Sequence, residues 1–115
     1  MLERLVLMAL RDFAGENKIR LLGFPSLDEV DDAIAEKTVR ENFEKISKWM
    51  PEFEATLQAK QFNKAGARRQ HELHARLFAP RKKIFATATE WNFLTALQEC
   101  LKELRNEAKK SIGKK

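Results

Sequence analysis

The sequence predicts an all-α protein, a compact helical bundle of four to five helices within a single domain over residues 1–115. Apolar residues recur at i, i+3 and i+4 in several segments, and helix-capping or helix-breaking residues separate those segments. A composition of 43% hydrophobic and 34% charged residues is typical of a folded chain of one domain. We find no alternation of polar and apolar residues long enough to predict a strand. The predicted helices span approximately residues 2–14, 26–50, 51–60, 62–79 and 87–110.

The first predicted helix, residues 2–14, carries an amphipathic stripe and ends at Gly15. Leu7 and Leu10 lie off this stripe, so the helix is apolar on several sides. Two interpretations stay open: a core helix buried from more than one direction, or a homo-oligomer contact made by Leu7 and Leu10. The stripe itself consists of Leu2, Leu5, Val6, Ala9 and Phe13.

After a connection over residues 16–25, the second helix is predicted to begin at a capping box formed by Ser26 and Glu29 and to end before Pro51. Carboxylates crowd its first turns, where the helix dipole favours negative charge. A divalent cation site is the alternative interpretation, but the dipole accounts for these acids more simply. The carboxylates are Asp28, Glu29, Asp31 and Asp32.

Prolines and caps divide the middle of the chain into two further predicted helices. Pro51 suits the first position of a helix over residues 51–60, and Asn63 is a candidate cap for a helix over residues 62–79, which Pro80 ends. The apolar stripe changes face between Gln58 and Phe62, which predicts a break there.

The last helix, residues 87–110, is predicted to begin at a capping box formed by Thr87 and Glu90. Beyond it, residues 110–115 form a basic tail that is expected to fray. This helix has the most regular apolar pattern in the chain, made by Trp91, Leu94, Leu97, Leu101, Leu104 and Ala108.

Positive charge is concentrated in one part of the chain. Residues 55–83 contain eight Lys and Arg against Glu72 alone, whereas residues 27–54 contain nine acids against four bases. On a helix, Lys60, Lys64, Arg68 and His71 would fall within about 80° of one another and form a basic row. The predicted nucleic-acid-binding residues are Lys60, Lys64, Arg68, Arg69, His71, Arg76, Arg81, Lys82 and Lys83.

The sequence therefore predicts a small non-enzymatic subunit of a nucleoprotein assembly, which contacts the backbone of DNA or RNA with strong salt dependence and weak sequence specificity. The alternative is a protein-interaction module, either a homo-oligomer or an adaptor that docks an acidic protein surface through the same face. A third interpretation is that the basic residues form a solvated surface only.

The sequence lacks the motifs of disulfide-bonded, metal-binding, phosphate-binding and membrane proteins. Cys100 is the only cysteine, which excludes an intrachain disulfide, and its position in the last apolar stripe predicts a buried side chain. The segment His71-Glu72-Leu73-His74 is too short for a zinc-protease motif, and no glycine-rich phosphate loop is present. We expect no metal, no cofactor and no catalytic residues. The N-terminal apolar run lacks the features of a signal peptide and no apolar run is long enough for a membrane span, so we expect a cytoplasmic protein without a membrane partner.

Aromatic residues are expected mainly in the core, because most of them fall on helical stripes. Core packing is predicted for Phe13, Phe43, Phe53 and Phe62. Phe78 and Phe85 flank the basic corner at residues 80–83 and are the rings predicted to be exposed, if any is.

Overall fold

The computed structural model describes residues 18–63 and 69–113, and it shows an α/β fold in which two helices cover one face of a four-stranded sheet. The predicted all-α helical bundle is therefore wrong. The elements in chain order are β1 (Lys18–Leu22), α1 (Glu29–Trp49), β2 (Glu54–Asn63), β3 (Arg69–Ala79), β4 (Lys82–Glu90) and α2 (Phe93–Gly113).

The strand order in the sheet is the same as in the chain, β1-β2-β3-β4. β1 and β2 are parallel, and α1 forms the crossover that parallel neighbours require. β2, β3 and β4 are antiparallel. Pro80 and Arg81 join β3 to β4, and Arg81 has a φ of 70°. A proline followed by a residue with positive φ is the pattern of a type II turn, so these two residues fix the hairpin.

Residues 54–63 and 69–79 form strands because their polar and apolar side chains alternate, so the expectation that no alternation is long enough for a strand is wrong. Ala55, Leu57 and Ala59 of β2 are buried, whereas the residues between them are partly or fully exposed. β3 repeats the pattern with buried Leu73, Ala75 and Leu77. The predicted helices over residues 51–60 and 62–79 are therefore wrong, as is the predicted break between Gln58 and Phe62. Asn63, the predicted helix cap, is the last residue of β2.

The second predicted helix is confirmed as α1, with a later start. Asp28 is its N-cap, since its side chain accepts a hydrogen bond of 2.8 Å from the backbone N–H of Asp31, so the Ser26 capping box is wrong. The acids of the first turn lie where the helix dipole favours them. Met50 is the C-cap, and the helix ends before Pro51 as predicted.

The last predicted helix is confirmed as α2, but it begins at Phe93. The Oδ1 atom of Asn92 accepts a hydrogen bond of 3.0 Å from the backbone N–H of Thr95, and the predicted cap residues Thr87 and Glu90 belong to β4. The helix extends through Gly113, and the fraying of residues 110–115 stays a prediction. Its buried stripe consists of Phe93, Ala96, Leu97, Cys100, Leu101, Leu104 and Ala108.

The core lies between the two helices and one face of the sheet. Phe43 of α1 stacks against Phe53 with ring centroids 5.7 Å apart, and Leu104 of α2 is fully buried. No polar side chain is buried among the described residues. Neither α1 nor α2 combines the length and hydrophobicity of a membrane-spanning helix. The predicted helix over residues 2–14, with the tentative oligomer contacts Leu7 and Leu10, lies outside the described residues.

Candidate nucleic-acid interface

The sheet face opposite the helices, which we call the open face, is not covered by any described element. Strand alternation directs every second side chain of each strand onto it. It combines cationic, polar and aromatic side chains. Those whose environment the structure describes are Arg20 and Leu22 of β1; Glu54, Thr56, Gln58, Lys60 and Phe62 of β2; Gln70, Glu72, His74, Arg76 and Phe78 of β3; and Lys83, Phe85, Thr87 and Thr89 of β4.

Strand register places two arginines and a phenylalanine in one row across the open face. Arg20 is paired with Thr56, Thr56 with Arg76, and Arg76 with Phe85. Because neighbouring strands lie about 4.8 Å apart and β2 lies between β1 and β3, the Cα atoms of Arg20 and Arg76 are about 10 Å apart. A polyanion lying across the sheet would meet both guanidinium groups.

The adjacent row adds a second aromatic side chain and a lysine. Phe78 pairs with Lys83, and its ring meets that of Phe85 edge to face at a centroid distance of 6.2 Å. Phe78 is 43% exposed and Phe85 is 56% exposed. Arg76, Phe78, Lys83 and Phe85 thus form a cation-aromatic cluster, in which rings able to stack on bases lie beside groups able to contact phosphates.

Lys60 lies on the same face but toward the other end of β2. It is four residues from Thr56, a separation of about 13 Å along an extended strand. Its partner across the strands is Glu72, and the Nε2 atom of His74 lies 3.1 Å from Oε1 of Glu72, although this contact is not aligned as a hydrogen bond. Glu72 therefore offsets part of the positive charge at this end.

The open face is positively charged, and its exposed cations are unpaired within the described residues. Four cations, Arg20, Lys60, Arg76 and Lys83, are exposed, and none of them forms an ion pair with the described part of the chain. The acids of this face are Glu54 and Glu72. The charge of these cations is thus available to a partner.

The structure brings together only part of the predicted binding set. Lys60, Arg76 and Lys83 share the open face, whereas His71 and Lys82 lie on the helix side because they occupy the opposite strand parity. The Nζ atom of Lys82 donates a hydrogen bond of 2.7 Å to the backbone carbonyl of Ser111. Lys82 therefore links β4 to the end of α2.

The remaining predicted cations lie at the ends of the sheet or outside the described residues. Arg69 donates a hydrogen bond of 3.3 Å to Oε1 of Gln61, and exposed Arg81 occupies the turn between β3 and β4. Lys64 and Arg68 lie outside the described residues. The predicted basic row of Lys60, Lys64, Arg68 and His71 on a helix is wrong, because Lys60 and His71 belong to strands and point to opposite faces.

His71 and His74 do not converge on a shared site, because residues three apart in a strand point to opposite faces. The ring of His71 packs edge to face against Phe93, with centroids 5.8 Å apart. Burial, and secondarily the charge of Arg69, lowers the pKa of His71 from its ordinary value of 6.5. Within residues 18–63 and 69–113, no three His, Cys, Asp or Glu side chains are grouped so that they could hold a metal ion.

The exposed rings agree with the sequence prediction for Phe78 and Phe85 but not for Phe62. Phe62 was expected in the core and is 42% exposed on the open face, whereas Phe43 and Phe53 are buried as predicted. Phe13 lies outside the described residues.

Arg20 lies on the open face, although it is not among the binding residues that the sequence predicts. The available signal was the alternation within β1, where buried Ile19 and Leu21 flank exposed Arg20.

Cys100 belongs to the core, as the sequence predicted. Its Sγ atom lies 3.8 Å from the carbonyl oxygen of Leu73 and 3.7 Å from that of Ala86, and burial raises the pKa of its thiol to about 12. A thiol with this pKa is protonated at neutral pH, so Cys100 acts as a small core side chain.

Comparisons with known proteins identify structural neighbours only. No family model matches the sequence, and no curated protein matches it. The fold is similar to the Protein Y N-terminal domain from Thermus thermophilus, with a TM-score of 0.55 and 12% sequence identity over 84% of this chain and 96% of that one. It is also similar to a ribosomal subunit interface protein from Coxiella burnetii, with a TM-score of 0.51 and 13% identity over 85% of this chain and 98% of that one. At these identities the likeness shows a shared fold.

Proposed function

We propose that this protein binds structured RNA through the open face and that the RNA is part of the ribosome. The proposed role is one of binding without catalysis. Because ribosomes occupy the cytoplasm, the proposal carries with it the expectation of a cytoplasmic protein.

The observation that carries the proposal is the combination, on one sheet face, of exposed rings with cations that have no ion-pair partner within residues 18–63 and 69–113. Arg20, Arg76 and Lys83 supply charge for phosphate contacts, and Phe78 and Phe85 supply surfaces on which unpaired bases can stack. RNA is recognised largely through backbone contacts and through stacking of bases in loops and bulges. The open face offers both kinds of contact.

The structural neighbours support the choice of the ribosome as the RNA-containing partner. One neighbour carries the description of a ribosomal subunit interface protein. This support is a likeness of fold, so the ribosome is the part of the proposal that the experiment must address directly.

The experiment compares two variants with the same change in charge. In the open-face variant, Arg20, Lys60, Arg76 and Lys83 are replaced by Gln. In the control variant, four exposed lysines of the helix layer, Lys45, Lys48, Lys102 and Lys109, are replaced by Gln. Each purified protein is sedimented with ribosomal subunits through a sucrose cushion at low salt, and far-UV circular dichroism verifies the fold.

We expect the wild type and the control variant to sediment with the subunits and the open-face variant to stay in the supernatant. Loss of binding by both variants would mean that net charge alone holds the protein on the particle. Retention of the open-face variant would show that another surface makes the contact. If no protein binds subunits but the wild type binds a free RNA hairpin, RNA binding stands and the ribosome is the wrong partner.

A second candidate is that the open face docks a protein. The observation that favours it is the exposure of Phe62, Phe78 and Phe85 on one face, since exposed large apolar groups often mark protein interfaces. Ribonuclease treatment of the complex separates the two candidates. A complex held by RNA dissociates, and a complex held by protein contacts persists.

A further inference from the structure

The outer edge of β4 is a second surface to which a partner could bind. Among the described residues, β4 has β3 as its only strand neighbour, so the backbone N–H and C=O groups along its other side have no strand partner. Such an edge is a template on which another extended chain can add as a new strand.

The two edges of the sheet differ in how they resist such addition. β1 is five residues long and carries the exposed charge of Arg20 at its centre, and short charged edges oppose pairing. β4 is nine residues long, and residues 84–89 contain neither a charge nor a proline. The structure therefore leaves β4 as the edge that is open to a strand.

A groove runs along this edge between β4 and α2. One part, with a volume of about 540 Å3, is lined by residues 85–90 together with Glu99 and Glu103 of α2. A second part, of about 470 Å3, is lined by residues 83–85 together with Glu107 and Lys110. An extended chain paired with β4 would lie in the groove with half of its side chains directed toward α2.

The groove is acidic where it borders residues 86–90. Glu90, Glu99 and Glu103 line it, and neither Glu99 nor Glu103 has an ion-pair partner among the described residues. Glu107 is less available, because the Nζ atom of Lys110 lies 3.6 Å from it. The unpaired carboxylates favour a ligand that carries positive charge on its helix-facing side.

The spacing of these carboxylates matches that of a strand. Glu99 and Glu103 are four residues apart on α2, a rise of about 6 Å. Alternate side chains of a strand are about 6.7 Å apart. A chain with Lys or Arg at every second position would therefore place one cation near each carboxylate.

We propose that the β4 edge binds an extended basic segment of a partner protein by strand addition, with alternate Lys or Arg side chains facing Glu99 and Glu103. A second copy of this chain fits less well. Its own β4 has Ile84, Ala86 and Ala88 on the helix side, and none of these side chains carries a positive charge that could pair with Glu99 or Glu103. This proposal stands independently of RNA binding on the open face.

The experiment uses a nine-residue peptide of alternating Lys and Thr, blocked at both ends, as the probe. One control peptide has Glu in place of Lys, and another has every backbone nitrogen methylated, which keeps the charge and removes the hydrogen bonds of a strand. Binding is measured by fluorescence anisotropy. Amide exchange followed by NMR reports where the peptide lies.

Two protein variants with the same change in charge provide the matched comparison. The groove variant is Glu99→Lys with Glu103→Lys, and the control is Glu41→Lys with Glu44→Lys on the exposed side of α1. We expect the Lys-Thr peptide to bind the wild type and the control variant and to slow amide exchange within residues 84–89. Binding to the groove variant is expected to be weaker by about tenfold or more.

The remaining outcomes overturn the proposal in distinct ways. Equal binding of the methylated peptide would mean that charge alone attracts it, without strand addition. Protection of β1 amides in place of β4 amides would put the peptide on the other edge. A wild-type protein that sediments as a dimer with protected β4 amides before any peptide is added would show that a second copy occupies the edge.

Discussion

The salt dependence of RNA binding gives a quantitative test of the open face. Each phosphate neutralised by the protein contributes about −0.9 to the slope of log K against log salt for a duplex and about −0.7 for a single strand. If Arg20, Lys60, Arg76 and Lys83 each contact one phosphate, the slope lies between about −2.8 and −3.6. Raising the salt from 50 to 200 mM then weakens binding about 50- to 150-fold.

Removing two of the four cations makes this prediction specific to the structure. Replacing Arg76 and Lys83 by Gln takes both charges out of the cation-aromatic cluster and halves the expected slope, to between about −1.4 and −1.8. The same change in salt would then weaken binding only about 7- to 12-fold. Fluorescence anisotropy with a labelled RNA hairpin, repeated across a series of KCl concentrations, measures both slopes.

A matched control separates local contacts from net charge. Replacing the exposed Lys102 and Lys109 of α2 by Gln removes the same charge from the other layer of the fold, so the slope should stay at its wild-type value. A similar decrease in slope for both double variants would refute the assignment of phosphate contacts to the open face. An unchanged slope for the variant at Arg76 and Lys83 would refute it as well.

Four further predictions test other parts of the structure. Phe85→Ala should weaken binding of single-stranded RNA by about 1–3 kcal/mol and leave the salt slope unchanged, because a stacking ring carries no charge; anisotropy titrations measure both quantities. Gly23→Ala should lower the free energy of unfolding in urea by about 2 kcal/mol or more, because Gly23 has a φ of 72° and an added Cβ would collide with the carbonyl oxygen of Ala59. The thiol of Cys100 should react with a thiol reagent at pH 8 only after unfolding, since burial raises its pKa to about 12, and the absorbance of the released chromophore follows the reaction. The pKa of His71 is lowered in the folded protein, so the unfolded chain binds more protons near pH 6 and the free energy of unfolding should fall as the pH decreases below 6.5. Urea titrations at pH 7.5 and 5.5 measure this fall, which should be smaller for His71→Asn than for the wild type.

The sequence determined the two observed helices because their signals are local. The apolar stripe of α2 and the proline that follows α1 are both visible within a few residues, and Cys100 follows from its place in that stripe. The start of each helix was misplaced, because Ser26 and Thr87 satisfy the capping pattern while Asp28 and Asn92 make the hydrogen bonds.

β2 was not predicted as a strand because two of its three buried residues, Ala55 and Ala59, are alanines. Residues 54–60 alternate polar and apolar side chains without interruption, but Ala55 and Ala59 favour a helix almost as strongly as Leu57 does. Local propensity therefore pointed to a helix, and the pairing of β2 with β1 and β3 overrode it.

The concentration of positive charge in residues 55–83 was visible in the sequence by itself, and so was its suitability for a polyanion. Only the tertiary structure decided which of those charges share a surface. Strand alternation separates Lys82 from Lys83, and strand register brings Arg20 into the same row as Arg76 across more than fifty residues of chain. Register depends on the pairing of segments that are distant in the chain, and a window of a few neighbouring residues does not contain both partners.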